Sequence, residues 1–214
     1  MYVVVVGGHG RVAMRLLKLL ADRGDRARGV IRKSEDVADL QAIGAEAAIV
    51  DIEVEDSEKL AEAIDGAHAV VFAAGAGPGS GPERKQTVDF GGAVKLIEAC
   101  KAKGIERYVM VSSIGAHERP EGDGFAVYLR AKHDADQALI ESGLSYSIVR
   151  PGSLTDEPGT GMIDPATELG RRGEIPRDDV AATLAATLIE PNTIDKLFEL
   201  LKGETEIAEA LKNL

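Results

Sequence analysis

Tyr128 and Lys132 are the pair in this chain best suited to moving a proton. They stand four residues apart in Tyr128-Leu129-Arg130-Ala131-Lys132, which opens a helical pattern reaching about Ser142. On a helix they share one face, with Cβ atoms about 5–6 Å apart. An ammonium at that distance favours a phenolate and lowers the phenol's pKa. A phenol so tuned exchanges a proton with a carbonyl or an alcohol near neutral pH. Tyr-x-x-x-Lys alone arises often by chance. Here it lies one loop beyond an apolar strand at residues 105–111, which ends in Ser112-Ser113.

A second chemical feature lies in MYVVVVGGHGRVAMRLLKLL. Residues 2–6 are an unbroken apolar run, the pattern of a strand buried on both faces. Val12, Leu16, Leu17 and Leu20 then recur at helical spacing. Strand and helix are joined by Gly7-Gly8-His9-Gly10. Glycines permit positive φ and a close approach of ligand to backbone, while the first turn of the helix offers unpaired N–H groups and a positive dipole end. Together they predict a pyrophosphate site. The spacing is Gly7-x-x-Gly10-x-x-Ala13, with Ala13 small enough for close helix–strand packing. No Gly-Lys-Ser/Thr follows, which argues against a Walker-type loop.

The elements that must position these features alternate along the chain. A strand at 27–31 ends in Arg32-Lys33. An acidic residue at that point holds a ribose 2′-OH, whereas an arginine accommodates a 2′-phosphate, so Arg32 points to NADP rather than NAD. A solvated loop is the plainer alternative for Arg32 and Lys33. Arg11, in the first turn of the first helix, is a candidate for the same phosphate. Ser34 is expected to cap a helix to about Ile43, followed by a strand at 45–50 closed by Asp51. A helix at 57–64 leads to a strand at 68–74, and a glycine-rich loop at 75–82 sits where ligands bind in open α/β sheets. That loop either presses on a ligand or is a flexible surface loop. A long helix at 86–103, the strand at 105–111, the helix of Tyr128 and a strand at 144–149 complete the alternation, which predicts a parallel sheet covered on both sides. Beyond it, residues 159–173 read as irregular. A helix starts at Pro176-Arg177-Asp178-Asp179-Val180, a strand spans 196–201 and a helix spans 204–211. Asp178 and Asp179 suit a helix's first turn better than a catalytic acid pair.

Composition narrows the partners. The chain has 214 residues and a formal net charge of −11. That charge disfavours nucleic acid and anionic membranes as general partners. No apolar run approaches the roughly 20 residues of a membrane span, and residues 2–6 do not form a signal peptide. The single Cys100, within a helical pattern, reads as a packed thiol. A cytoplasmic protein acting on a small molecule, as a monomer or small homo-oligomer, is the expectation. His9, His68, His117 and His133 show no metal-ligand spacing, so no metal is expected. His9 lies in the glycine turn, in reach of phosphate, and His68 is expected to cap or flank a strand.

VVVVGGHGRVAMRLL, VIRK, AVVFAAG, VMVSSIGA, YLRAK and SYSIVRPGSLT occur in the order found in atypical short-chain dehydrogenase/reductases. The chain resembles the small NAD(P)-binding members related to NmrA-like and biliverdin reductase B-like proteins, often labelled NAD-dependent epimerase/dehydratase. The resemblance implies a Rossmann-type doubly wound parallel sheet, with a dinucleotide core at 1–150 and a small C-terminal substrate lobe at 151–214. By position it implies that Gly7, His9, Gly10, Arg11 and Val12 meet pyrophosphate and Arg32 the 2′-phosphate. Asp51 and Ile52 would meet adenine, and Ala73, Ala74 and Gly75 the ribose. Ser113, or else Ser112, would hold a substrate oxygen. Tyr128 would be the general acid/base, and Lys132 would bind the nicotinamide ribose while tuning Tyr128. Pro151, Gly152, Ser153 and Leu154 would line the nicotinamide. The sequence departs from larger relatives at Asp89, where they carry asparagine. The functions implied are an NADP-dependent oxidoreductase, a redox sensor, or a small epimerase/dehydratase.

Overall fold

The computed structural model describes residues 1–77 and 79–214; Pro78, in the expected glycine-rich loop, lies outside the described residues. The apolar run becomes β1 (Tyr2–Val6), and all five residues are buried. It pairs in parallel with β2 (Arg26–Ile31) on one side and β4 (Ala69–Phe72) on the other. The sheet extends to β3 (Glu46–Ile49) beyond β2, and through β5 (Arg107–Val111), β6 (Ser145–Pro151) and β10 (Lys196–Lys202) beyond β4, all parallel. Antiparallel strands β8 (Met162–Ala166) and β11 (Thr205–Glu206) finish that edge. The order is therefore β3-β2-β1-β4-β5-β6-β10-β8-β11. It reverses direction between β1 and β4, the place where open α/β sheets bind ligands. This is a Rossmann-like α/β fold.

Period-two alternation divides β1 between two cores. Val3 and Val5 face a core built with α1 (Arg11–Asp22), α2 (Val37–Ala42), α7 (Arg177–Thr187) and α8 (Ile207–Lys212). Tyr2, Val4 and Val6 face α3 (Ser57–Ile64), α5 (Gly92–Lys103) and α6 (Phe125–Ile140). Cys100 is buried on α5, and burial pushes its thiol up to about 12, so it is held as an inert thiol. Among the described residues, no helix is long and apolar enough to cross a membrane.

Several local expectations are corrected. Ser34 caps nothing: it begins a 3₁₀ turn at Ser34–Asp36, and α2 starts only at Val37. The helix expected at 86–103 starts earlier, with α4 (Pro82–Arg84), and runs through a π-helical stretch (Lys85–Gly91) into α5. The stretch 159–173, read as irregular, contains β8, whose Pro165 suits a short strand near the sheet's edge. A separate small sheet pairs β7 (Ser153–Thr155) with β9 (Glu174–Pro176), folding the chain after β6 back beside the sheet's end. Asp178 and Asp179 do sit in the first turn of α7. Asp179 also accepts from the N–H groups of Thr160 and Gly161, at 3.0 and 2.8 Å, and so ties down that loop.

Candidate functional site

The turn after β1 requires glycine at its first position. Gly7 has φ +83°, and a Cβ there would lie 2.6 Å from the Cα of Ala74, at the end of β4. The N–H of Gly10 donates to Gly7 O at 2.8 Å, which closes the turn and aims α1 at the cleft. Gly10 caps α1 without a side-chain acceptor, and the first turn has no acidic residue. The leading N–H groups of α1 thus await an anion. This donor set fits a dinucleotide's pyrophosphate.

Two cavities meet at this turn, sharing Gly10 and Ala73 to Gly75. The first, of about 470 Å³, is lined by Gly7, His9, Arg32, Lys33, Asp51 and Ile52 among others. Among the described residues Arg32 has no ion-pair partner, whereas Lys33 is engaged by Glu35 and Arg84 by Glu53. Arg32 is exposed at the end of β2, facing that cleft. Arg11 does not join it. Its side chain pairs with Asp156 and lines the second cavity, together with Val12 and Arg177.

His9 is held between two carboxylates, Nε2 at 2.9 Å from Asp39 and Nδ1 at 3.5 Å from Asp36. Potential ligand atoms of these three residues lie within 4.8 Å of one another, a grouping that sequence spacing did not reveal. His68 does flank a strand, its Nδ1 accepting the N–H of Tyr2 at 3.0 Å.

The second cavity, about 920 Å³, gathers Ser112, Ser113, Tyr128, Lys132 and residues Pro151, Gly152, Ser153 and Leu154. The structure separates the two serines. Ser112 is buried and its Oγ donates to Asp136 Oδ2 at 2.9 Å. Ser113 lines the cavity with Tyr128, and its Oγ donates to Ile114 O at 3.2 Å. Phe125 stacks on Tyr128, with ring centroids 5.5 Å apart, and Lys85 Nζ lies 5.3 Å from the Tyr128 ring centre.

The electrostatic expectation for Tyr128 is corrected. Burial pushes its phenol above the ordinary value, and this outweighs the lowering by Lys132 and by Ser113. Lys132 itself is buried, its Nζ 5.8 Å from the centre of the Tyr128 ring. Burial works against its charge, but Tyr128 and Asp89 outweigh that and hold its pKa above the ordinary lysine value. Asp89, on the π-helical stretch, lies 3.3 Å from Lys132 Nζ. A second buried pair stands one turn along α6: Arg150 Nε and Nη2 donate to Asp136 Oδ2 at 2.9 and 2.8 Å.

Asp136, Arg150, Lys85 and Phe125 escaped the sequence analysis. Two of them carried a usable signal. Asp136 is four residues after Lys132 and so shares its face, and Arg150 closes a strand whose preceding residues are apolar. Lys85 and Phe125 carried none, because they meet Tyr128 only through folding.

The geometry agrees with what this chain is similar to. A family model described as NAD(P)H-binding matches residues 7–191. A protein of Bacillus subtilis named as an uncharacterized sugar epimerase is 44% identical, with all of both chains covered. A solved structure of a Bacillus halodurans protein, provisionally named an NAD-dependent epimerase/dehydratase, superposes with a TM-score of 0.93 at 38% identity, covering 100% of both chains. An oxidoreductase of Lactococcus lactis superposes with a TM-score of 0.87 at 32% identity, covering 100% of this chain and 96% of that one. With its glycine turn at the switch point of the sheet and that match across most of its length, the chain belongs to the NAD(P)H-binding family of atypical short-chain dehydrogenase/reductases.

Proposed function

We propose that this protein is an NADP-dependent oxidoreductase that reduces a small carbonyl or conjugated compound, or oxidises the corresponding alcohol. One observation carries the reading: the two cavities join at Gly10 and Ala73 to Gly75, so one extended ligand from Arg32 to Tyr128 would pass over the glycine turn. On this reading Gly7, His9, Gly10, Arg11 and Val12 surround the pyrophosphate. Arg32 meets the 2′-phosphate, Asp51 and Ile52 the adenine, and Ala73 to Gly75 the ribose. The nicotinamide lies along Pro151 to Leu154. Bound NADPH supplies the hydride.

Tyr128 then acts as a proton donor. A phenol is protonated at neutral pH, which suits reduction, where an oxygen gaining negative charge takes the proton. Ser113 holds that oxygen beside Tyr128, and the charge of Lys132 stabilises the phenolate left behind. The second cavity must hold the nicotinamide half and the substrate together in about 920 Å³, which favours a small substrate.

The names of the Bacillus relatives favour a second reading, isomerisation of a sugar with no net change in the cofactor. Incubation with NADPH and a panel of small aldehydes, ketones and enones separates the two. Net oxidation of NADPH supports the first, and sugar isomerisation without it the second. Tyr128→Phe is expected to lose at least about a hundredfold in turnover, the scale of general acid catalysis, while NADPH binding stays unchanged. Full turnover in that variant would remove Tyr128 from the chemistry.

A further inference from the structure

The second cavity carries a charge opposite to that of the whole chain. The protein has a formal net charge of −11. Yet Arg11, Lys85, Lys132, Arg172 and Arg177 line this cavity against one carboxylate, Asp89. Four of these cations are engaged. On the proposed reading Arg11 meets the pyrophosphate. Lys132 faces Asp89 at 3.3 Å, and Lys85 Nζ donates to Gly77 O at 2.7 Å. Arg177 lies 3.0 Å from Asp156, with its side chain only 17% exposed. Arg172 remains, and its side chain is 57% exposed.

Arg172 comes from the lobe beyond β6, in the turn just before β9. That turn is pinned: Gly173 O accepts the N–H of Ser153 at 2.9 Å, which sets Arg172 beside the residues assigned to the nicotinamide. Gly115 seats the guanidinium, since a Cβ there would stand 2.5 Å from Nη1. Nη1 donates to Ile114 O at 3.2 Å, and Ser113 Oγ donates to the same oxygen at the same distance. Two donors on one acceptor are near neighbours, so the guanidinium stands next to the hydroxyl assigned to the reacting oxygen. Its other partner is Glu118 Oε1, 2.7 Å from Nη2. That pair is exposed on both sides, so it contributes little and can be exchanged for another anion. A guanidinium also has more N–H donors than these two contacts use.

We infer that Arg172 anchors a carboxylate of the substrate, and that the substrate is a 2-oxo acid. A guanidinium holds a carboxylate through two parallel N–H···O bonds. Because Arg172 and Ser113 converge on Ile114 O, the carboxylate and the reacting carbonyl are separated by few bonds, as when their two carbons are joined directly. Phe125, whose ring is exposed on the same cavity, offers apolar surface to the rest of the molecule. Reduction gives the 2-hydroxy acid. The carbonyl carbon gains a hydride from NADPH, leaving NADP⁺, and the oxygen gains the proton of Tyr128, which solvent replaces. The inference rests on the reading of Ser113 and Tyr128 as the groups at the reacting oxygen.

The test is a ¹⁵N NMR titration of the full chain with phenylglyoxylate, with and without NADP⁺, in which the Arg172 Nε–H signal is identified by its loss in Arg172→Met. The acid is expected to move that signal to saturation, and methyl phenylglyoxylate to leave it in place. No shift with the acid in either state, or equal shifts with acid and ester, overturns the inference, and neither result depends on a variant that folds. Arg172→Met is expected to weaken binding of the acid by about 10- to 100-fold, the loss of one charged hydrogen bond, with NADP⁺ affinity within about twofold. An equal loss for NADP⁺ would move Arg172 to the cofactor and overturn the inference. With NADPH, kcat/KM for the acid should exceed that for the ester by about tenfold or more, and a preference for the ester contradicts it. Failure to bind NADP⁺ would count against the oxidoreductase reading and leave the carboxylate contact, which is read without cofactor, standing. NADP⁺ binding with no Arg172 response to the acid would strike this inference alone.

Discussion

The two halves of the candidate site are built in opposite ways. Around Arg32 the charges are exposed and the cleft is shaped by backbone: a positive-φ glycine, a helix start and the ends of β1 and β2. Around Tyr128 the charges are buried in pairs, Lys132 with Asp89 and Arg150 with Asp136, each partner drawn from a different element. The first half can release or replace a side chain at small cost to the fold. The second cannot, because removing one member leaves the other charged and out of water. Recognition is thus separable from stability on one side of the glycine turn and bound to it on the other.

Substitutions sharpen that contrast. The largest effect is expected for Asp136→Ala, which strands Arg150 in the interior and should cost about 3–5 kcal/mol of stability, measured by urea unfolding. A loss below about 1 kcal/mol would show that the two halves do not differ in this way. Arg32→Ala should leave stability within about 0.5 kcal/mol, as surface changes generally do. Its effect belongs to binding: loss of a charged hydrogen bond of about 1.5–3 kcal/mol weakens NADPH by roughly 10- to 100-fold, with NADH little changed. Equal losses for both nucleotides would refute the 2′-phosphate contact.

The smallest effect is expected far from both cavities, at Glu46. Its hydrogen bond with Arg26, aided by Arg28, holds its carboxyl at about 2, below the ordinary 4.5. A depressed carboxyl stabilises the fold fully above its unfolded value. That contribution is lost as pH falls from about 4.5 toward about 2. Glu46→Gln should therefore lower stability near neutral pH by no more than about 1 kcal/mol, as for an exposed pair. The difference from the unaltered protein should shrink through that acid window, and a difference that grows there would reverse the sign.

What the sequence made legible follows the same division. The β1 turn, the parallel alternation and the Tyr128–Lys132 face are local patterns, written in spacing over a few residues. Gly7 could be assigned from its neighbours alone, and its positive φ agrees. The pairs could not. Lys132 meets Asp89 across forty-three positions, through a π-helical winding with no sequence period, and Ser112 turns to Asp136 while its neighbour Ser113 lines the cavity of Tyr128. The balance at Tyr128 was missed for the same reason. Spacing reveals the ammonium nearby, but not the burial that outweighs it. Beyond β6 the chain makes short strands, β7 to β9, whose partners are distant, and short strands carry little periodicity.

The most direct measurement is a calorimetric titration of the purified protein with NADPH, NADP⁺, NADH and NAD⁺. The account predicts one site per chain, filled by both phosphorylated forms at least about tenfold more tightly than by NADH and NAD⁺, the share expected for one charged contact at Arg32. Absence of binding by any of the four, or a preference for the unphosphorylated pair, would contradict it.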